Sequence, residues 1–329
     1  MAKITFYGGA QSVTGSNYLL EVGGVKVLVD CGMFQGSSDS EEKNYGQFPY
    51  KPEELSAVFI SHSHADHTGR LPKLFKEGFR GVLYATPPTL DMTFVALPDN
   101  LGLMTDAAKR TNHPVLFTQE DLDGVMGLAK AANYGEEINL GPNFSAVLHD
   151  AGHILGSSII EFRAEGKKIY FSGDLGNPPT PLLRPFEYPV GADYIVVESA
   201  YGDRVHEDRS TRKEKLRSIV KETILKGGTL MIPSFAMERT QELLFELNEM
   251  SNSGEIPKVP MFLDSPLAIK LTEVYQKYPE YFNKDAKHII ESGDDLFNFP
   301  GLTYCRTSQD SKKINDVIGA KVVIAGSGM

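Results

Sequence analysis

Between Ser61 and His67 the chain reads Ser-His-Ser-His-Ala-Asp-His, directly after the apolar run Ala57-Val58-Phe59-Ile60. Four potential metal ligands thus sit at the end of what reads as a buried strand. On extended backbone alternate side chains point the same way, so His62 and His64 can converge on one ion. Asp66 and His67 follow where the pattern turns helical (Leu71, Leu74, Phe75), and they point elsewhere. One ion cannot easily take all four, so the spacing suggests two adjacent ions. A solvated loop that happens to hold histidine is the bland alternative. The chain has 8 His, and three of them fall in this one stretch, which favours the metal reading.

The residues before the cluster read as antiparallel strands over 4–7, 17–22 and 25–29, with Gly23-Gly24 as a turn. The last of them ends at Asp30, either a turn cap or a site residue. Residues 36–52 read as a surface loop, 67–77 and 87–104 as helices, and 119–131 as an amphipathic helix on Leu122, Val125, Met126 and Ala129. A strand over 144–148 leads into His149-Asp150-Ala151-Gly152-His153. The small residues that follow allow close backbone packing, so His153 is a candidate third ligand and His149 a structural residue. A hairpin over 159–171 runs out into Gly173-Asp174, where a carboxylate can reach two ions. A further apolar strand, 193–197, ends at Glu198. Acids or histidines therefore follow five strand-like segments, at Asp30, His62, His153, Asp174 and Glu198, as in a site built on one edge of a sheet.

After Tyr201 the rhythm changes. Helices over 210–226, 238–251, 266–278 and 310–318 alternate with strands over 229–233, 260–263, 302–305 and 321–325. That alternation predicts a parallel, doubly wound sheet. The expected organisation is two domains, 1–200 and 201–329.

His62-x-His64-x-Asp66-His67, with Asp30, His153 and Asp174, resembles the metallo-β-lactamase superfamily. Glu198-Ser-Ala-Tyr-Gly-Asp-Arg, Pro233-Ser-Phe-Ala with Arg239 and Gln241, Leu263-Asp-Ser-Pro-Leu-Ala and Ser327-Gly328-Met329 resemble its β-CASP branch, which includes RNase J and the endonuclease of mRNA 3′-end cleavage. The resemblance covers the whole chain. It implies an α/β fold: an αββα sandwich carrying two zinc ions, joined to a β-CASP domain. By resemblance His62, His64 and His153 hold one zinc, Asp66 and His67 the other, and Asp174 bridges. Asp30 orients the ligand loop from behind, and Glu198 matches the acid that orients a general-acid histidine; Asp66, Asp174 and Glu198 are thus the expected catalytic acids. In the family that histidine and a further ligand lie beyond Ser-Gly-Met, as do the strand and helix that complete the sandwich. The chain therefore reads as a fragment lacking the C-terminal part of its sandwich.

The expected reaction is metal-assisted hydrolysis of an RNA phosphodiester, endo- or exonucleolytic, with single-stranded RNA as substrate and DNA not distinguished from it. Backbone amides near Ser265 and Ser327-Gly328 are candidate phosphate contacts, helped by Arg239 or Arg204; for Arg239 a salt bridge within its own domain is an equal alternative. The formal charge of −10 does not advertise a nucleic-acid partner, but it is uneven, with 18 Lys+Arg against 19 Asp+Glu from Tyr201 onward. Acidic residues that serve cations account for some of the remainder. No apolar run is long enough to span a membrane. Two distant cysteines, Cys31 and Cys305, fit a reducing, cytoplasmic setting. A homodimer is compatible with the sequence. The competing functions are a small-molecule metallo-hydrolase of the same fold and a non-catalytic RNA-binding subunit. Two zincs per chain would favour the enzyme, and none the scaffold.

Overall fold

The computed structural model describes residues 2–110, 114–205 and 211–326. Two compact units emerge, one of 1–178 with 185–200, the other of 179–184 with 201–329.

In the first unit, strands β1 (Lys3–Gly8), β2 (Asn17–Val22), β3 (Val25–Val29), β4 (Ala57–Phe59), β5 (Val82–Ala85) and β6 (Ala129–Ala131) form one sheet in that order. Its first three strands are antiparallel and the rest join in parallel. The second sheet runs β11 (Tyr194–Val196), β10 (Lys167–Phe171), β9 (Ser158–Ala164), β8 (Phe144–Asp150), β7 (Glu137–Gly141). The alternating apolar residues of β2 and β3 (Leu20, Val22, Val27, Val29) face those of β8 to β10 (Leu148, Ile160, Phe162, Phe171) in one buried core. The opposite residues of the first sheet (Leu19, Leu28, Val58, Leu83) pack under helices α3 (Leu71–Lys76), α4 (Pro87–Ala108) and α5 (Gln119–Met126). Two sheets back to back with helices over the first make three of the four expected sandwich layers. On the outer face of the second sheet Tyr170 and Ile159 meet Leu175 and Ala192, which lie in loops rather than in a helix.

Several elements differ from the sequence reading, among them β7 (Glu137–Gly141), which it did not contain. The helix expected over 119–131 stops at Met126, and Ala129–Ala131 pair in parallel with Leu83–Ala85. The open edge of β5 offers ladder hydrogen bonds that outweigh the weak helical preference of a three-residue tail. Short helices α1 (Ser38–Glu42), inside the expected loop, and α2 (Ala65–Thr68), within the ligand cluster, also form.

The second unit is a four-stranded parallel sheet, ordered β12 (Thr229–Ser234), β15 (Lys321–Gly326), β13 (Met261–Asp264), β14 (Leu302–Tyr304). Its helices are α6 (Arg212–Leu225), α7 (Arg239–Asn252), α8 (Pro266–Lys277), α9 (Lys284–Glu291) and α10 (Ser308–Lys313). α9 lies in the stretch that reads as irregular and acidic; Asn283 caps it by accepting from the Ala286 N–H.

Candidate metal centre

Strands β3, β4, β8, β10 and β11 deliver Asp30, His62, His153, Asp174 and Glu198 just past their C-terminal ends. β3 and β4 run parallel, and β8, β10 and β11 share a direction through the antiparallel β9 between them. Backbone contacts lock the rim. The Ser158 N–H donates to the Ser61 carbonyl at 2.6 Å, joining the two sheets, and the Gly176 N–H donates to the Ala151 carbonyl at 2.9 Å, setting the Asp174 turn on the His153 turn. That approach requires glycine: a Cβ on Gly176 would lie 1.8 Å from the Gly152 oxygen.

His62, His64, His153 and Asp174 each direct one ligand atom into a common focus, all within 4.8 Å of one another. His62 Nε2 and His153 Nε2 lie 3.0 and 3.3 Å from His64 Nδ1. Both also face Asp174 Oδ2, at 3.8 and 3.7 Å. The other Asp174 oxygen, Oδ1, is 3.3 Å from His67 Nε2, which in turn is 3.8 Å from Asp66 Oδ2. One carboxylate thus faces two nitrogen-bearing groups, one through each oxygen.

The electrostatics suit a cation. Burial, then neighbouring imidazoles, hold His62 well below its ordinary pKa. Burial also brings His64 and His153 down to about 4 each, with Asp174 opposing in both cases. Each ring is therefore neutral at neutral pH, with a lone pair on one nitrogen, and three lone-pair donors meeting beside a carboxylate form a set that a metal satisfies and a hydrogen-bond chain satisfies only in part. Burial alone would raise Asp174, but His67, His153 and His64 pull it down to about 2. Burial and Asp174 raise Asp66, against the pull of His67. His67 is opposed by burial but held well above its ordinary value by Asp30 and Asp174. A cation bound there would displace that proton, because a ligating imidazole is neutral. The residues present fit a metal.

Asp30 is fully buried, at a φ of 60°, and accepts from His67 Nδ1 at 2.7 Å and from the Ser61 N–H at 2.8 Å. Glu198 is exposed; its N–H donates to Ser172 Oγ at 3.0 Å, which ties it to the turn that carries Asp174. His149 belongs to another network, between Glu161 at 2.9 Å and Glu187 at 3.2 Å. In the second unit Ser265 caps α8 by accepting from the Ala268 N–H. Arg239 pairs with Glu242 at 2.7 Å and Arg204 with Asp203 at 2.9 Å. Gln241 is fully buried, donating to Thr272 Oγ1 at 2.9 Å, and so serves the packing of α7 on α8. Ser327 and Gly328 lie outside the described residues. The sequence reading did not single out Ser61, Gly32 or Gly173. Ser61 was adjacent to the histidines, but only the fold shows what it touches.

Comparison with known proteins matches the metallo-β-lactamase superfamily over residues 12–226 and the β-CASP domain over 240–329. The chain is 37% identical, over 99% of its length and 73% of the relative's, to a protein of Thermus thermophilus named Ribonuclease TTHA0252. It is 31% identical to Transcription termination factor FttA of Methanocaldococcus jannaschii, over 99% of this chain and 52% of that one. Cleavage and polyadenylation specificity factor 73 of Drosophila melanogaster is 33% identical over 100% of this chain and 47% of its own. The chain therefore spans about three quarters of the first relative and about half of the other two. A crystal structure of a protein of unknown function from Enterococcus faecalis shares the fold, with a TM-score of 0.56 at 13% identity over 100% of this chain and 78% of that one.

Proposed function

The chain belongs to the metallo-β-lactamase superfamily, in its β-CASP branch, and from that membership we propose that it is a metal-dependent ribonuclease hydrolysing single-stranded RNA. The observation that carries this reading is the two-sided placement of Asp174, with Oδ2 toward His62 and His153 and Oδ1 toward His67. His62, His64 and His153 would hold one zinc ion and Asp66 and His67 a second, with Asp174 contributing a carboxylate oxygen toward each set. When bound, such ions supply positive charge to the phosphoryl oxygens and acidify a water.

The chain's own residues do the rest. Neutral His62, His64 and His153 leave their lone pairs available throughout the physiological range. Asp30 orients His67 from behind by accepting a hydrogen bond from its Nδ1–H. Asp66 and Asp174 would help hold the cations and offset their charge, and Glu198, just past β11, would orient a proton donor to the leaving oxygen. Backbone amides near Ser265 and Ser327-Gly328 are the proposed phosphate contacts of the second domain, whose boundary we set near residue 200, and Arg239 would join them only by leaving Glu242. No helix among the described residues is long and apolar enough to cross a membrane. The free, buried Cys31 and Cys305 support a reducing, cytoplasmic setting, and a homodimer is compatible with the sequence.

Cleavage of end-labelled single-stranded RNA tests the reading, together with metal analysis. Two zincs per chain are expected. His64→Ala and Asp174→Ala are expected to slow cleavage by roughly a thousandfold, the equivalent of several kcal/mol of lost charge stabilisation. Unchanged rates would rule the mechanism out, and thioester turnover faster than RNA cleavage would make this a small-molecule hydrolase.

A further inference from the structure

Ser61 stands directly before the histidine cluster and is 1% exposed. Its hydroxyl lies at the centre of four groups. Oγ is 2.9 Å from Asp30 Oδ2, 3.1 Å from His62 Nδ1 and 3.2 Å from His67 Nδ1. On the remaining side Gly173, at a φ of +54°, packs so closely that a Cβ there would lie 2.6 Å from Ser61 Cβ. One side chain therefore touches the Asp30 turn, both histidines and the turn that carries Asp174.

Donor and acceptor chemistry gives these contacts a direction. As a carboxylate Asp30 can only accept. Its Oδ2 gathers the Ser16 hydroxyl at 3.0 Å, the Ser61 hydroxyl and His67 Nδ1 at 2.7 Å. A hydroxyl has one proton, and the charged oxygen is the stronger acceptor, so the Ser61 proton goes to Asp30. The lone pairs of Ser61 Oγ are then turned toward His62 Nδ1, which can approach at 3.1 Å only by donating an N–H. With the proton on Nδ1, the lone pair of His62 is on Nε2, the atom that faces His64, His153 and Asp174. Asp30 sets the tautomer of His67 directly but cannot donate or reach across to His62. A group that donates on one side and accepts on the other is needed between them.

We propose that Ser61 is a positioning residue that relays the charge of Asp30 to His62, fixing the Nδ1–H tautomer and presenting Nε2 to the metal. The relay couples the two halves of the centre: one carboxylate orients a histidine in each, His67 directly and His62 through a hydroxyl. This inference rests on the reading of the cluster as a metal centre.

The test uses the intact protein and two readouts besides cleavage. Long-range proton–nitrogen correlation spectra of the metal-free protein report ring tautomers. The wild type is expected to show His62 as a single Nδ1–H form, and Ser61→Ala to lose that preference while the His67 Nδ1–H stays bonded to Asp30. Zinc affinity, measured by competition with a chromophoric chelator, is expected to fall about 10- to 100-fold in Ser61→Ala. Ser16→Ala removes a donor to Asp30 that touches neither ring, and it is expected to leave the His62 tautomer intact. If Ser61→Ala does not fold, Ser61→Cys, whose thiol is a weak donor and acceptor, is read in its place, with a smaller loss of affinity expected. A wild type that binds zinc, with Ser61 variants that bind it as tightly and show the same His62 tautomer, would overturn the relay alone. A wild type that binds no zinc would overturn both the relay and the metal centre.

Discussion

At the residue scale the site depends on atoms that carry no charge as much as on its ligands. Gly32 follows Cys31 on the turn after β3, and a Cβ there would lie 1.4 Å from the Asp66 carbonyl oxygen and 2.7 Å from the His67 nitrogen. Both obstacles are backbone, so neither can swing aside. Gly32→Ala is expected to destabilise the fold by more than about 3 kcal/mol, the range of severe overpacking, as read by urea denaturation. An unchanged midpoint would show that the two turns are not packed as described. The ligand histidines could be picked out of the sequence because four polar groups in six residues after an apolar run have few other uses. Gly32 and Ser61 could not, since a glycine or serine beside a motif carries no distinguishing mark until its neighbours in space are known.

At the scale of elements, the second sheet holds a charged network away from the metal centre. Glu161 on β9 accepts from Tyr170 on β10 at 2.7 Å, from His149 on β8 at 2.9 Å and from its own strand's Arg163 at 2.6 Å. Burial alone would raise its carboxyl, but Arg163, Tyr170 and His149 bring it from an ordinary 4.5 to about 2. A depressed folded-state value means that the contribution is full above the unfolded pKa and is lost as pH falls through the folded one. Glu161→Gln is therefore expected to cost on the order of 2 kcal/mol near pH 6, allowing for solvent screening of Arg163. The difference from wild type should shrink between pH 4.5 and pH 2. A gap that stays constant down to pH 2 in urea melts would contradict this account. Three strands needed for the network were visible as alternating apolar runs. The short β6 was not, because Leu122, Val125, Met126 and Ala129 keep helical spacing straight through Gly127, and the partner that turns 129–131 into strand is the distant β5.

At the scale of the molecule, each unit has its own buried core, the first between its sheets and the second around Phe262, Ile314 and Val323. Ligand binding stabilises only the unit that contains the site. Calorimetry of the zinc-loaded protein is expected to show two transitions. Chelation should lower one by on the order of 10 °C, from about 4 kcal/mol of binding free energy acting on some 200 residues, and leave the other in place. The moving transition should be the one that His64→Ala also lowers. Equal shifts of both transitions would place the metal's influence beyond the first unit.

By itself the sequence pointed to metal chemistry at a sheet edge and to a parallel sheet after residue 200, while the sandwich layers were what the family resemblance implied. Histidine spacing, acids at the ends of apolar runs and the change of rhythm near residue 200 are local patterns, written in neighbouring residues and in the periods of strand and helix. What only the tertiary structure decided is which atoms face one another: that Asp174 presents one oxygen to each group of histidines, that Ser61 lies between Asp30 and His62, and that Arg239 is paired with Glu242. Such pairings join residues up to 112 positions apart, as between His62 and Asp174. They follow from how two sheets and their turns close over a shared rim, and no one-dimensional period encodes that closure.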